Sequence, residues 1–115
     1  MKFIFVLFLI VFPALAEAKS SDPDCSGKDR WPASMAYVQI KNALVLAPGD
    51  IDFSKTQSIR IASEKIGKDL YHQVHDIKFF KTTGDVIEII AISDASSAEC
   101  SMGDVRVLQV TEQLK

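Results

Sequence analysis

Cys25 and Cys100 constrain this chain more than any other feature, because they are its two cysteines and lie near the two ends of the segment expected to fold. An even cysteine count in an exported chain predicts a disulfide, since thiols oxidise outside the cytoplasm. In the chain-entropy model, closing a loop of this length stabilises a fold by roughly 4 kcal/mol. We therefore expect a Cys25–Cys100 disulfide.

The export signal is predicted from residues 1–18, MKFIFVLFLIVFPALAEA. Lys2 gives a positive start, and the apolar run from Phe3 to Val11 is too short for a comfortable membrane span. Ala16-Glu17-Ala18 places small residues at both positions that a signal peptidase reads. We expect cleavage after Ala18, a periplasmic or secreted protein, and no membrane association after cleavage.

Size and charge limit the classes of partner. About 97 residues remain after the predicted cleavage, enough for a single small domain over residues 19–115 with one core. The formal net charge of the chain is -2, and both signs are spread along it. It has no basic stripe for nucleic acid and no cationic amphipathic face for lipid. We expect a protein partner and no nucleic acid.

The period of the hydrophobic pattern changes along the chain and predicts an α+β fold. Pro32 suits a first helical turn, and the apolar residues after it recur at helical intervals, which predicts a helix over residues 33–45. From Gln57 onward, apolar and polar residues alternate as they do in strands. The predicted strands begin at Gln57 and then cover residues 71–81, 86–93 and 105–110. The expected architecture is one N-terminal helix followed by a four-stranded antiparallel meander.

The stretch LYHQVHDIKFF, residues 70–80, places His72 and His75 three positions apart and allows two interpretations. Ser63 can cap a helix through this region, and both imidazoles would then lie on one side, at the centre of a small metal- or ligand-binding module. In a strand they project to opposite faces and cannot share an ion. The β-branched and aromatic residues after Tyr71 favour the strand, and no HExxH spacing is present. We expect no resident metal and no cofactor.

Catalytic patterns are missing from the sequence. It contains no GxSxG turn, no phosphate-binding lysine loop and no glycine-rich dinucleotide fingerprint. A Cys100 thiolate served by His72 or His75 is an alternative to the disulfide, but an exported thiol with a second cysteine nearby normally oxidises. We expect that the protein is not an enzyme.

The segment from Val86 to Ser93 is apolar on both sides of the predicted strand: Val86, Ile90 and Ile92 alternate with Ile87, Ile89 and Ala91. One short helix covers one face of a small sheet, so the second face needs the N-terminal arm and the 46–56 loop, or another protein. In the second case the face binds a homodimer partner or a foreign protein. The candidate contact residues are the aromatic and polar side chains Tyr71, His72, Gln73 and Phe80.

Two segments, IGKDLYHQVHDIKF and DASSAECSM, together with the export signal, resemble a group of small, largely uncharacterised exported proteobacterial proteins over about residues 57–110. The resemblance implies a periplasmic address and brings no catalytic residues. Exported proteins of this size are often inhibitors or immunity factors that occlude a toxin or a hydrolase. The predicted function is a periplasmic protein-binding or inhibitory protein, and the module centred on His72 and His75 is the alternative.

Overall fold

The computed structural model describes residues 22–111, so the predicted export signal lies outside the described residues. Its elements are α1 (Trp31–Ala43), β1 (Ile51–Gly67), β2 (Leu70–Lys81), β3 (Val86–Ala95) and β4 (Arg106–Gln109). The strands form one antiparallel sheet in the order β1-β2-β3-β4. The predicted α+β class, a helix followed by a four-stranded meander, is confirmed.

Helix α1 begins with a proline in its first turn, where the missing N–H leaves no hydrogen bond unmade. Its buried residues are mostly small: Pro32, Ala33, Ala36 and Ile40. Val38, one of the apolar residues of the helix, is 46% exposed. Because the side chains at the contact are short, the helix can approach the sheet closely. The Gln39 amide also donates a hydrogen bond of 2.7 Å to the carbonyl oxygen of Val105, just before β4.

Strand β1 begins earlier than predicted, at Ile51 rather than Gln57. Its register with β2 shifts between Asp52 and Gln57, between Arg60 and Ala62, and once more near Gly67. Each shift interrupts the alternation by which a strand is identified in a sequence. The 46–56 segment, predicted to be a loop, is therefore part of the sheet from Ile51 onward.

Residues 63–75 do not form the alternative helix capped by Ser63. They belong to β1, a turn at Lys68 and Asp69, and β2. Ser63 lies opposite Gln73, and Glu64 lies opposite His72. The apolar residues in this region also have helical spacing. Pairing between the two neighbouring strands outweighs that local pattern and makes the region part of the sheet.

The hydrophobic core lies between α1 and one face of the sheet, which we call the covered face. Ile77, Phe79 and Ile89 are fully buried there, and Val105 completes the cluster at the base of β4. Burying one such aliphatic or aromatic side chain stabilises the fold by about 1.5–3 kcal/mol. The helix thus covers the end of this face at which β2 ends and β3 begins.

The N-terminal arm, residues 22–30, covers the rest of the same face. The carbonyl oxygen of Pro23 accepts hydrogen bonds from the Arg60 guanidinium at 2.9 Å and from the Gln73 amide at 2.8 Å. Cys25 is bonded to Cys100, across a sequence separation of 75. This confirms the predicted disulfide and excludes Cys100 as a free thiolate nucleophile. The arm is therefore held both by hydrogen bonds and covalently.

Candidate interaction surface

The side of the sheet opposite the covered face carries the candidate site, and we call it the open face. Directly paired residues project to the same side of a sheet, so its members follow from the register. They are Asp52, Gln57, Ile59, Ala62 and Glu64 on β1, His72, Val74, Asp76, Lys78 and Phe80 on β2, Val86, Glu88, Ile90, Ile92 and Asp94 on β3, and Arg106 and Leu108 on β4.

Apolar side chains cross the open face from one outer strand to the other. Ile59 on β1 is 63% exposed and Leu108 on β4 is 52% exposed, while Ile90 between them is half-buried. The interpretation in which the arm and the 46–56 segment cover this face is therefore wrong: the arm lies on the covered face, and residues 51–56 belong to β1. Exposed apolar side chains on an uncovered side of a sheet make this face the candidate interaction surface.

Two polar pairs lie toward opposite ends of the open face, and both join β2 to β3. The Nζ of Lys78 is 3.8 Å from a carboxylate oxygen of Glu88. The Nδ1 of His72 is 2.6 Å from a carboxylate oxygen of Asp94. All four side chains remain partly exposed. Such exposed pairs add little to stability, but they place polar groups on either side of the row that joins Ile59 to Leu108.

Asp76 lies at the centre of the open face, opposite Ile59 on β1 and Ile90 on β3. One of its carboxylate oxygens, Oδ1, is shielded from solvent and has no hydrogen-bond partner among residues 22–111. Next to it is a cavity of about 20 Å³ lined by Gln57, Ile59, Asp76 and Lys78. A carboxylate oxygen that is shielded without a partner costs free energy. The rest of the Asp76 side chain is only half-buried, so a cationic donor that approaches from outside would be favoured beside this carboxylate.

The four predicted contact residues divide between the two faces. His72 and Phe80 lie on the open face, where a partner can reach them. Tyr71 is 5% exposed and Gln73 is fully buried, because both project to the covered face beneath the arm. We therefore remove Tyr71 and Gln73 from the candidate contact set and keep His72 and Phe80.

The two histidines are also on opposite faces, since β2 is a strand. His72 is exposed beside Asp94, whereas His75 is fully buried. One ion cannot contact both imidazoles through the sheet, so a module that uses the two together does not fit this geometry. Within residues 22–111 there is also no group of three or more His, Cys, Asp or Glu side chains placed to hold a metal ion.

His75 occupies an unusual position on the covered face. Burial, and secondarily the positive charge of Arg60, hold the pKa of His75 below its ordinary value of 6.5, while Asp24 acts in the opposite direction. Neither ring nitrogen has a hydrogen-bond partner among the described residues, and the same is true of Gln73 Oε1 and Ser93 Oγ nearby. The part of the covered face beneath the arm is thus polar and incompletely satisfied.

The arm contacts and the loop at Cys100 are held by acidic side chains. Asp69, in the β1–β2 turn, accepts hydrogen bonds from the hydroxyl and the backbone N–H of Ser97, and these hold the pKa of Asp69 below its ordinary value. In the arm, the hydroxyl and the backbone N–H of Ser26 donate hydrogen bonds to Asp24 and hold the pKa of Asp24 below its ordinary value. These carboxylates fix loops in place.

Sequence reasoning missed the residues that define the centre of the open face: Ile59, Asp76 and Leu108. A signal was present, because Asp76 interrupts an apolar alternation on β2 as an acidic residue between Val74 and Phe80. Its significance depends on its neighbours, Ile59 and Ile90, which are set by the register and not by the sequence of one strand.

Comparisons with known proteins give the chain no relatives: no family model matches it, and no match was found among curated proteins or among solved structures. In the part of the chain that the structure describes, no helix is long and apolar enough to cross a membrane.

Proposed function

We propose that this chain is an exported, periplasmic or secreted, protein-binding protein that acts through the open face of its sheet. It acts by covering part of a partner's surface and carries out no chemical step of its own. Inhibition of a toxin or a hydrolase by occlusion is the specific form of this function that we propose. The observation that supports it most is the half-buried carboxylate of Asp76, one oxygen of which has no hydrogen-bond partner among residues 22–111, in a row with the exposed apolar side chains of Ile59 and Leu108.

The chemistry of the partner follows from the same residues. Ile59 and Leu108 favour an apolar surface, because each leaves more than half of its side chain in water. Asp76 favours a lysine or arginine in the middle of that surface, since a cationic side chain could form a charge-assisted hydrogen bond with the accessible part of its half-buried carboxylate. We therefore propose a protein partner that presents one basic side chain framed by apolar side chains.

The disulfide supports the proposed location. A bond between Cys25 and Cys100 forms and persists in an oxidising compartment. It also pins the arm to the covered face, which leaves the open face as the accessible side. A rigid, preformed surface loses little conformational entropy on binding, as an occluding protein requires.

Affinity capture from the extracytoplasmic fraction of the native host tests this proposal. Wild-type bait is compared with Ile59→Lys, with Asp76→Asn, and with Asp104→Asn as a control, since Asp104 is exposed and outside the open face. We expect a protein that is retained by wild type and by the control, lost with Ile59→Lys, and bound at least about tenfold more weakly by Asp76→Asn. Retention of the same proteins by all four baits contradicts the proposal.

A captured hydrolase or toxin then allows the inhibitory role to be measured. Its activity is expected to fall in proportion to the bound fraction and to recover when Ile59→Lys replaces the wild-type protein. A partner that is bound through the open face and keeps its full activity would leave the binding role intact and exclude inhibition.

A further inference from the structure

We infer that, before a foreign partner arrives, the open face is occupied by a second copy of this chain, packed sheet against sheet. This inference rests on the proposed function, because it assumes that the open face binds protein. It adds the identity of the resting occupant, and it follows from the cross-strand pairs on the open face.

A two-fold axis determines which residues would meet. We place the axis parallel to the strands, halfway between the two stacked sheets and level with the gap between β2 and β3. The rotation then puts β2 of one copy over β3 of the other. Each residue therefore faces, in the other copy, the residue that is its cross-strand partner within its own sheet. Such an interface is isologous and closes as a dimer. The known pairs between β2 and β3 therefore predict the contacts between copies.

These predicted contacts are complementary at both ends of the face. Lys78 of one copy faces Glu88 of the other, and the symmetry repeats this contact, so an ion pair within each copy becomes a cluster of four charges of alternating sign. His72 faces Asp94 in the same way. Like charges do not meet at either end.

The apolar residues are complementary as well. Val74 faces Ile92, and Phe80 faces Val86, because these residues are cross-strand pairs. On the outer strands, Ile59 is paired with Asp76 and Leu108 with Ile90, so all four lie in one row across the sheet. The two-fold axis then places Ile59 of one copy over Leu108 of the other. These two residues are the most exposed large apolar side chains among the residues assigned to the open face.

The area is adequate for a modest dimer. At about 3.3 Å per residue, the segment from Val86 to Asp94 is about 26 Å long, and three strands about 4.8 Å apart give a width of roughly 14 Å, to which β4 adds one strand over its four residues. The flat footprint is about 450 Å² before the relief of the side chains is counted, compared with about 800 Å² per partner in a standard interface. Two sheets that stack about 10 Å apart are a common arrangement.

Asp76 is the one residue of the open face that a second copy does not complement, and it distinguishes the second copy from a foreign partner. In the dimer, Asp76 faces Ile90, and the carboxylates of the two copies approach each other near the axis. Like charges close together oppose association. A foreign partner with a basic side chain would remove this mismatch. The dimer is therefore the weaker complex and exchanges for the partner.

Charge reversal tests the dimer. Sedimentation velocity is run on the oxidised mature chain, on Lys78→Glu, on Glu88→Lys, and on an equimolar mixture of the two variants. We expect wild type to dimerise and each variant alone to associate at least about tenfold more weakly, because like charges meet across the axis. The mixture is expected to recover a heterodimer, since each glutamate then faces a lysine. A wild-type protein that stays monomeric, or variants that associate as wild type does, overturns the inference.

Asp76→Asn separates this inference from the proposed function. It is expected to strengthen self-association and to weaken capture of the foreign partner. If the wild type is monomeric but partner capture still depends on Ile59 and Asp76, the dimer is excluded and the proposed function remains. If the dimer forms as predicted and capture is unaffected by open-face variants, the proposed function fails while the second copy remains the occupant.

Discussion

The two faces of this sheet are built by the same strands, yet they differ in what their side chains do. On the covered face, Ile77, Phe79 and Ile89 are fully buried beneath α1. On the open face, Ile59 and Leu108 leave more than half of their side chains in water. Because strand residues alternate, consecutive positions serve different purposes. The covered face supplies stability, and the open face supplies the proposed contact surface.

The covered face itself has two parts. Beneath α1 it is apolar, while beneath the arm it contains Gln73 and His75, whose buried polar atoms are not all satisfied by described residues. Hydrogen bonds from Arg60 and Gln73 to Pro23, and the disulfide, hold the arm over this polar part. The arm therefore depends on fixed attachment points more than on burial of apolar surface.

The largest difference between the faces is expected for two neighbouring phenylalanines. Phe79→Ala should lower the free energy of unfolding by about 3–5 kcal/mol, because it leaves a cavity in the core. Phe80→Ala, on the half-exposed side, should cost less than about 2 kcal/mol. Urea denaturation of the monomer measures both. Equal losses would mean that the open face is also part of the core.

Removal of the disulfide is the next largest effect. Cys25→Ser combined with Cys100→Ser should lower the free energy of unfolding by about 2–4 kcal/mol, because the unfolded chain regains its freedom. Amide hydrogen exchange should increase first in residues 22–30 and at Gln73, and less in the β2 and β3 segments beneath α1. Uniform loss of protection over the whole sheet would contradict the separate role of the arm.

A smaller, pH-dependent effect is expected from His75. Its folded pKa is below 6.5, so between the two pKa values the unfolded chain binds a proton that the folded chain does not. The contribution of His75 to the free energy of unfolding is therefore fully present above about pH 6.5. It falls as the pH drops below that value and levels off below the pKa of His75 in the folded protein.

Urea unfolding at several pH values from about 7 to about 5 measures this dependence. His75→Gln should remove it, and His72→Gln on the open face serves as the control. The carboxylates of Asp24 and Asp69, whose pKa values are lowered from 3.8, contribute stability that is lost only at more acidic pH. A slope that survives in His75→Gln would contradict the account of the covered face.

A still smaller change in stability is expected at Asp76. Asp76→Asn removes the charge from a shielded oxygen that lacks a partner and should alter the free energy of unfolding of the monomer by less than about 1 kcal/mol. Urea denaturation at low protein concentration measures it. A loss of several kcal/mol would show that the carboxylate holds the sheet together and is not reserved for a partner.

The sequence predicted the order of the elements and the disulfide. The elements follow from the spacing of apolar residues within each segment, and the disulfide follows from the number of cysteines, so neither requires knowledge of how the segments pack. It placed the helix at residues 33–45, two residues from its observed position, and located β2 and β3 closely. It missed the start of β1, where register shifts break the alternation. Such shifts depend on the partner strand and leave no pattern in β1 itself.

The candidate site was harder to predict, for a related reason. Alternation separates Tyr71 and Gln73 from His72 and Phe80, but it does not tell which set the helix and arm will cover. The sequence therefore predicted a contact set with residues from both faces. In the structure, Tyr71 and Gln73 of this set are buried. Asp76 was missed because its isolation depends on Ile59 and Ile90, which come from two other strands.

The most direct test of the division between the two faces is the association constant of Leu108→Lys, measured by sedimentation equilibrium alongside the free energy of unfolding of its monomer. We predict that association falls at least about tenfold, while monomer stability changes by less than about 0.5 kcal/mol, as is usual for an exposed position. Unchanged association, or a monomer destabilised by several kcal/mol, would contradict the claim that the open face serves binding and not folding.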